Sequence, residues 1–139
     1  MDVEFLMLAD GAEAVNGKVY VLGGGWNNIG VAAFPAEHRM SVVVGLGVGW
    51  NETSERHNLV LNIFTADGDL FMEVAKAQFE MGRPAGLKAG ESQRLMMAAN
   101  CVLKAEKPEE LQVVLAVDGS DVRSIPFKVT KVMGAPQAI

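Results

Sequence analysis

The stretch Arg39-Met40-Ser41-Val42-Val43-Val44-Gly45-Leu46-Gly47-Val48-Gly49-Trp50 decides how this chain is read. Successive side chains of a β-strand point to opposite faces, so residues two apart share a face. Met40, Val42, Val44, Leu46, Val48 and Trp50 then form one bulky apolar face, the face of a strand packed on a core. Ser41, Val43, Gly45, Gly47 and Gly49 form the other, which is nearly flat. Glycine weakens a strand, so three on one face call for a close neighbour. A bulky group or a bend in the same chain would satisfy that need. So would a second subunit or a ligand approaching the backbone, which makes Gly45, Gly47 and Gly49 candidate self-association residues.

The rest of the chain repeats the pattern of short Val-, Leu- and Ile-rich runs bounded by turn formers. Val3 to Ala9 reads as a strand, with Ala9 to Val15 open to a turn or two of helix. Asn16-Gly17 suits a two-residue hairpin turn, because both residues tolerate positive φ, and Lys18 to Leu22 follows it. Gly23 to Asn28 reads as a loop, and the chain is irregular around Phe34-Pro35. Asn58 to Thr65 and Leu70 to Met81 form a hairpin around Ala66-Asp67-Gly68-Asp69, and Gly82 to Gly90 is the longest loop. Leu95 to Leu103, Leu111 to Asp118 and Val122 to Lys131 complete the set. Pro126 cannot donate to a ladder, so it predicts an edge or a bulge in the last strand. About eight strands with little or no helix predict an all-β fold, a two-sheet antiparallel β-sandwich of immunoglobulin-like or jelly-roll-like form. One domain over residues 1–133 with a frayed tail at 134–139 is the expected organisation.

Composition narrows the function classes. A chain of 139 residues buries roughly 68% of its unfolded surface and needs no staple. Cys101 is the only cysteine, which excludes an intrachain disulfide and fits a reducing compartment. A formal net charge of -5 argues against a nucleic-acid partner. Met1-Asp2-Val3-Glu4 is acidic where a signal peptide is basic. The longest apolar run, Met40 to Trp50, is far short of the ~20 residues of a membrane helix. A cytoplasmic protein with no membrane partner is therefore expected. Half of the residues are apolar (50%) but only 6% are aromatic, and the mean hydropathy is +0.19. This aliphatic excess predicts apolar surface buried against another copy, a homo-oligomer, or against an unidentified protein partner.

The motifs that invite chemistry are weak. Gly23-Gly24-Gly25-Trp26-Asn27-Asn28-Ile29-Gly30 lacks the spacing of a dinucleotide or phosphate loop and opens no helix. Trp26 with Asn27 and Asn28 could still form a ligand platform, an indole stacking on a sugar ring and amides matching its hydroxyls. The plainer account of Trp26 is core or hinge packing. Trp50 and Arg83 complete the set of candidate ligand-binding residues. Arg83 lies in Gly82-Arg83-Pro84-Ala85-Gly86, where it could bind a carboxylate or hold its own loop by its carbonyls. Asp67-Gly68-Asp69 lacks the further oxygens of a calcium loop. His38, His57 and Cys101 show no metal-ligand spacing. No Ser occupies a nucleophile elbow. Asn51-Glu52-Thr53 is a glycosylation sequon without a signal peptide. No catalytic residue, cofactor or metal is expected.

Val3-Glu4-Phe5 through Ala9-Asp10, Asn16-Gly17-Lys18-Val19-Tyr20-Val21-Leu22-Gly23-Gly24-Gly25-Trp26 and Gly82-Arg83-Pro84-Ala85-Gly86-Leu87 carry a resemblance. Together with Asp118-Gly119 and Pro126-Phe127-Lys128-Val129 they resemble a family of short uncharacterised bacterial proteins, notably actinobacterial. The resemblance spans most of the chain and implies a bacterial β-sandwich. It transfers no activity and no catalytic residue.

Three functional readings follow. The first is a non-enzymatic structural or interaction protein that self-associates. The second is a small-molecule or glycan-binding module using the Trp26 loop. The third, an enzyme, needs a convergent acid, base or nucleophile set to which nothing in the sequence points. Since sandwiches host many functions, the fold does not choose among them.

Overall fold

Alternating apolar residues fenced by turn formers become strands throughout the chain. In a computed structural model, residues 1–132 are described and form nine strands. They are β1 (Asp2–Val15), β2 (Lys18–Gly24), β3 (Asn28–Val31), β4 (Ala36–Val48), β5 (Arg56–Thr65), β6 (Leu70–Glu80), β7 (Gln93–Ala105), β8 (Glu109–Val117) and β9 (Ser120–Lys131). A single 3-10 turn, Trp50–Glu52, follows β4. The expected tail at 134–139 lies outside the described residues. No described helix is long and apolar enough to cross a membrane.

The strands form two sheets, in the orders β2-β1-β4-β7 and β3-β9-β8-β5-β6. The inward faces of both supply one core. Met40, Val42, Val44 and Leu46 of β4 share it with Leu59, Leu61 and Ile63 of β5 and with Leu111, Val113 and Leu115 of β8. The connectivity follows the immunoglobulin-like alternative. With β2 and β3 set aside, β1, β4 and β7 face β6, β5, β8 and β9. One strand is placed differently. In the constant-type immunoglobulin order the fourth strand covers the fifth in the first sheet. Here the corresponding strand, β6, pairs with β5 in the other sheet.

Three details depart from the sequence reading, and the edge position of Pro126 agrees with it. Ala9 to Val15 is strand, because β1 runs on past Ala9 to pair with β2 as far as Val15↔Lys18. Asn28–Val31, read as loop, adds a ninth strand parallel to β9, so the sandwich is not wholly antiparallel. Four residues are too few for an alternation signal, and their partner is a hundred positions away. Trp50 does not extend β4, which ends at Val48. Pro126 occupies the part of β9 that precedes its pairing with β3, which begins at Lys128. The Lys128 N–H donates to the Asn27 carbonyl at 3.0 Å, so two residues earlier the missing donor of Pro126 falls where no strand lies.

The outward face of β4 is buried too. Ser41, Val43 and Ala9 all point away from the core and are all 0% exposed. The cover comes from the chain itself. A bulge between Val3 and Phe5 in the β1–β4 pairing lets Val3 face inward opposite Leu46, while Phe5 faces outward opposite Gly45. The Phe5 ring fills the space that a side chain at Gly45 would occupy. Asp2 and Glu4 flank Gly47 in the same way, more loosely. Beyond Ala9 the β1–β2 hairpin curls, since β2 comes within 8 Å of β7. A flat sheet would hold strands three places apart at about 14 Å. Val21 and Met7 converge beside Gly24 on this outward side.

Gly45→Val is expected to cost about 1–3 kcal/mol by overpacking against Phe5. Combining it with Phe5→Ala should cost less than the sum of the two, because both changes act on one space. Urea denaturation of the four proteins in this cycle measures the coupling, and strict additivity would rule out Phe5 as the filler.

Candidate functional site

Three places gather the candidate residues. The first is the end of the sandwich beyond Val48. Glu52 turns back on the β4 exit, its carboxylate accepting the Gly49 N–H at 2.9 Å and lying 2.9 Å from the Met1 amino group. Burial alone would raise the Glu52 carboxyl, but these partners outweigh it and hold it below its ordinary range. Arg83 reaches the same turn from the loop after β6. Its guanidinium lies 3.7 Å from the centroid of the Trp50 ring, Nε donates to Thr53 Oγ1 at 2.7 Å, and Nη2 donates to the Trp50 carbonyl at 2.9 Å. Trp50 and Arg83 are therefore neighbours, as one ligand site would require. The stacked ring face and two of the five Arg83 N–H groups are engaged within this turn, however, and this is the loop-holding role open to such an arginine.

Behind them lies a pair that sequence reasoning missed. His57 is 5% exposed at the start of β5. Its Nδ1 is 2.7 Å from Asp118 Oδ2 and its Nε2 is 2.7 Å from the Glu52 carbonyl. A carbonyl can only accept, and so can an ionised carboxylate, so both ring nitrogens carry protons. His57 is thus an imidazolium that ties the 3-10 turn to the β8–β9 turn. The Asp118 carboxylate, then the Glu52 carbonyl, raise its pKa above the ordinary 6.5. The same bond, with the Asn58 N–H donating to Asp118 Oδ1 at 2.9 Å, holds Asp118 below 3.8. In that protonated state neither nitrogen keeps a lone pair for a metal or a further proton. The pair spans 61 positions, and only the Asp118-Gly119 turn signal hinted that Asp118 was placed.

The Trp26 platform lies at the other end of β4. Trp26 meets the His38 ring edge-on, with centroids 6.0 Å apart. His38 and Trp50 are separated by roughly 35–40 Å of extended chain, so the two tryptophans belong to different sites. Trp26 is half-buried against the core, and its indole N–H is enclosed without a partner. Asn28 Oδ1 accepts the Thr130 hydroxyl at 3.1 Å. Asn27 borders an open hollow of about 350 Å3 whose other polar walls are Glu110, Gln112 and Lys128. Among the described residues no group of three or more His, Cys, Asp or Glu side chains is placed to hold a metal ion.

The third place is a sheet edge. Gly45 and Gly47 are covered by their own chain, and Gly49 caps the turn after β4. The strand edges are a further contact surface, one that natural sheets blunt with charge, bulges, proline or shortness. The open half of β1 carries Asp2, Glu4 and a bulge, and Arg123 donates to its Val3 carbonyl at 2.8 Å. β2 has 7 residues and β3 has 4. The open half of β9 carries Asp121, Arg123 and Pro126. β6 carries Glu73, Lys76 and Glu80, with two irregularities in its pairing. β7 has none of these devices between its end cations. It runs for 13 residues in unbroken register with β4. From Leu95 to Leu103 it holds no charge, proline or glycine. Leu95, Met97, Ala99 and Cys101 lean into the core only half-buried, because β6 lies in the other sheet.

The His57–Asp118 pair sets a pH window. A raised His57 pKa means stability that is complete below about 6.5 and is lost as pH rises through the elevated value. A lowered Asp118 pKa means stability present above 3.8 and lost as pH falls through the depressed value. His57→Gln should therefore cost about 1–2 kcal/mol near pH 5.5 and less near pH 9. Denaturant midpoints at both pH values test this, and an equal cost at both would show that His57 is neutral in the fold.

No curated protein and no solved structure matches the chain. A family model does match, and it covers residues 4–130, nearly the whole sandwich from the bulge of β1 to the end of β9. The chain belongs to DUF6941, a family of unknown function.

Proposed function

We propose that this protein is a non-enzymatic β-sandwich that acts by self-association, with the open edge of β7 as its contact. One observation carries the reading: β7 alone among the exposed edges is long, unbroken in register and uncharged over its middle. Such an edge presents a row of unpaired N–H and C=O groups beside apolar side chains, and pairing with another chain satisfies both. The aliphatic composition agrees, since the half-buried inward side chains of β7 gain cover in any such pairing. The engagement of both His57 nitrogens and of two Arg83 donors within the fold favours a structural role over catalysis.

Sedimentation velocity from about 1 to 100 µM should show a concentration-dependent dimer or larger species, at affinities in the micromolar range. Amide exchange of Leu95 to Leu103 should slow over the same concentrations. A monomer throughout, with unchanged exchange, would sink the proposal.

A small-molecule or glycan-binding module is the second reading, and the hollow beside Asn27 favours it. It places opposite charges, Glu110 and Lys128, and an amide, Gln112, around one opening. It predicts that a metabolite and glycan thermal-shift screen yields a ligand whose binding falls at least about tenfold in Asn27→Ala, with the melting temperature of the free protein unchanged. A screen without hits removes this reading.

A further inference from the structure

Resting on the self-association reading, we propose that two copies pair β7 with β7 antiparallel, about a two-fold axis at Ala98. The occupant of the edge is then a second copy of this chain, and the two β2-β1-β4-β7 sheets become one sheet of twice the width. Leu95, Met97, Ala99 and Cys101 are half-buried on the core side. Pairing that keeps both cores on one side of the joined sheet covers these residues in both copies. In that arrangement residues directly opposite share a face, so the axis passes through a single residue of β7.

Charge excludes two registers, and size excludes a centre at Met97, where that long side chain would oppose itself. Full overlap of the strand, centred on Ala99, sets Arg94 directly opposite Lys104 of the second copy, twice. Like charges in directly opposed positions destabilise a pair of strands. Sliding the centre to Asn100 presses Lys104 onto Met96 of the second copy. Sliding it to Ala98 removes both conflicts. Arg94 then faces Val102 of the second copy, and Lys104 falls beyond the paired stretch Gln93 to Leu103. Each cation also keeps its own carboxylate, Arg94 with Glu4 at 2.9 Å and Lys104 with Glu37 at 3.7 Å.

Size agrees with charge at the Ala98 register. On the core side Leu95 faces Cys101 and Met97 faces Ala99. On the outward side Met96 faces Asn100, and Ala98 faces itself. Each large side chain of the middle stretch meets a smaller one, which is how two flat edges close without a gap. Burial pushes the Cys101 thiol up, so it stays protonated and slow to oxidise at the seam.

The test uses the full chain. In a Cys101→Ala background, Ala98→Cys should form a disulfide-linked dimer under mild oxidation, because opposed strand positions bring two Cα atoms within the range a disulfide spans. Asn100→Cys in the same background should not. Val102 is 40% exposed and lies opposite Arg39 of β4, so the melting temperature of each variant is measured beside its dimerisation. Val102→Lys places a cation opposite Arg94 of the second copy and should weaken dimerisation roughly tenfold, whereas Val102→Glu should preserve or tighten it. Cross-linking through Asn100→Cys in place of Ala98→Cys, or equal effects of Val102→Lys and Val102→Glu, overturns the register while self-association stands. A monomeric wild-type protein overturns both.

Discussion

Everything in this sandwich is arranged around β4, a strand that must be buried on both faces. Its inward face packs on the opposite sheet, as any sandwich strand does. Its outward face carries Val43 and two glycines, and water would reach their backbone if the face were left open. The chain solves this locally. The bulge in β1 turns Val3 inward and Phe5 outward, so one neighbouring strand feeds the core and roofs Gly45 at once. The curl of the β1–β2 hairpin extends the roof. A larger side chain at Gly45 would compete with Phe5 for one volume, which is why the glycine and the aromatic belong together.

Placing β6 in the five-stranded sheet has the opposite effect on β7. A sheet edge is stable only if its backbone groups find partners or water, and its apolar side chains find cover. β6 brings its charges to its own edge and leaves β7 with neither a neighbour nor a guard. At the ends of the sandwich the polar groups are occupied in holding turns. His57 and Asp118 clamp the β8–β9 turn to the turn after β4, and Arg83 stacks on Trp50 to hold the loop after β6. These groups resemble chemistry in type, but each is engaged in holding a turn or loop of the fold.

Some of this was readable in the residues and some was not. The bulky face of Met40 to Val48 announced a core strand because alternation is local and needs no partner. The turns at Asn16-Gly17 and Asp118-Gly119 were legible because positive φ restricts residue type. Trp50 was assigned to the strand by extending that alternation two residues too far, past a Gly49 whose extended backbone hides the break. The ligand set of Trp26, Asn27, Asn28, Trp50 and Arg83 joined residues from both ends of one long strand. Sequence proximity to polar neighbours says nothing about that distance.

By itself, then, the sequence determined the all-β class, the core face and the need for a neighbour over the glycines, because each is a property of backbone period and side-chain size. Only the tertiary structure decided that the neighbour is Phe5, that His57 meets Asp118 and that β7 is the unguarded edge. Those depend on which strands lie side by side, and strand order is fixed by long-range pairing, here across 100 positions from Asn28 to Lys128. No local periodicity carries that information.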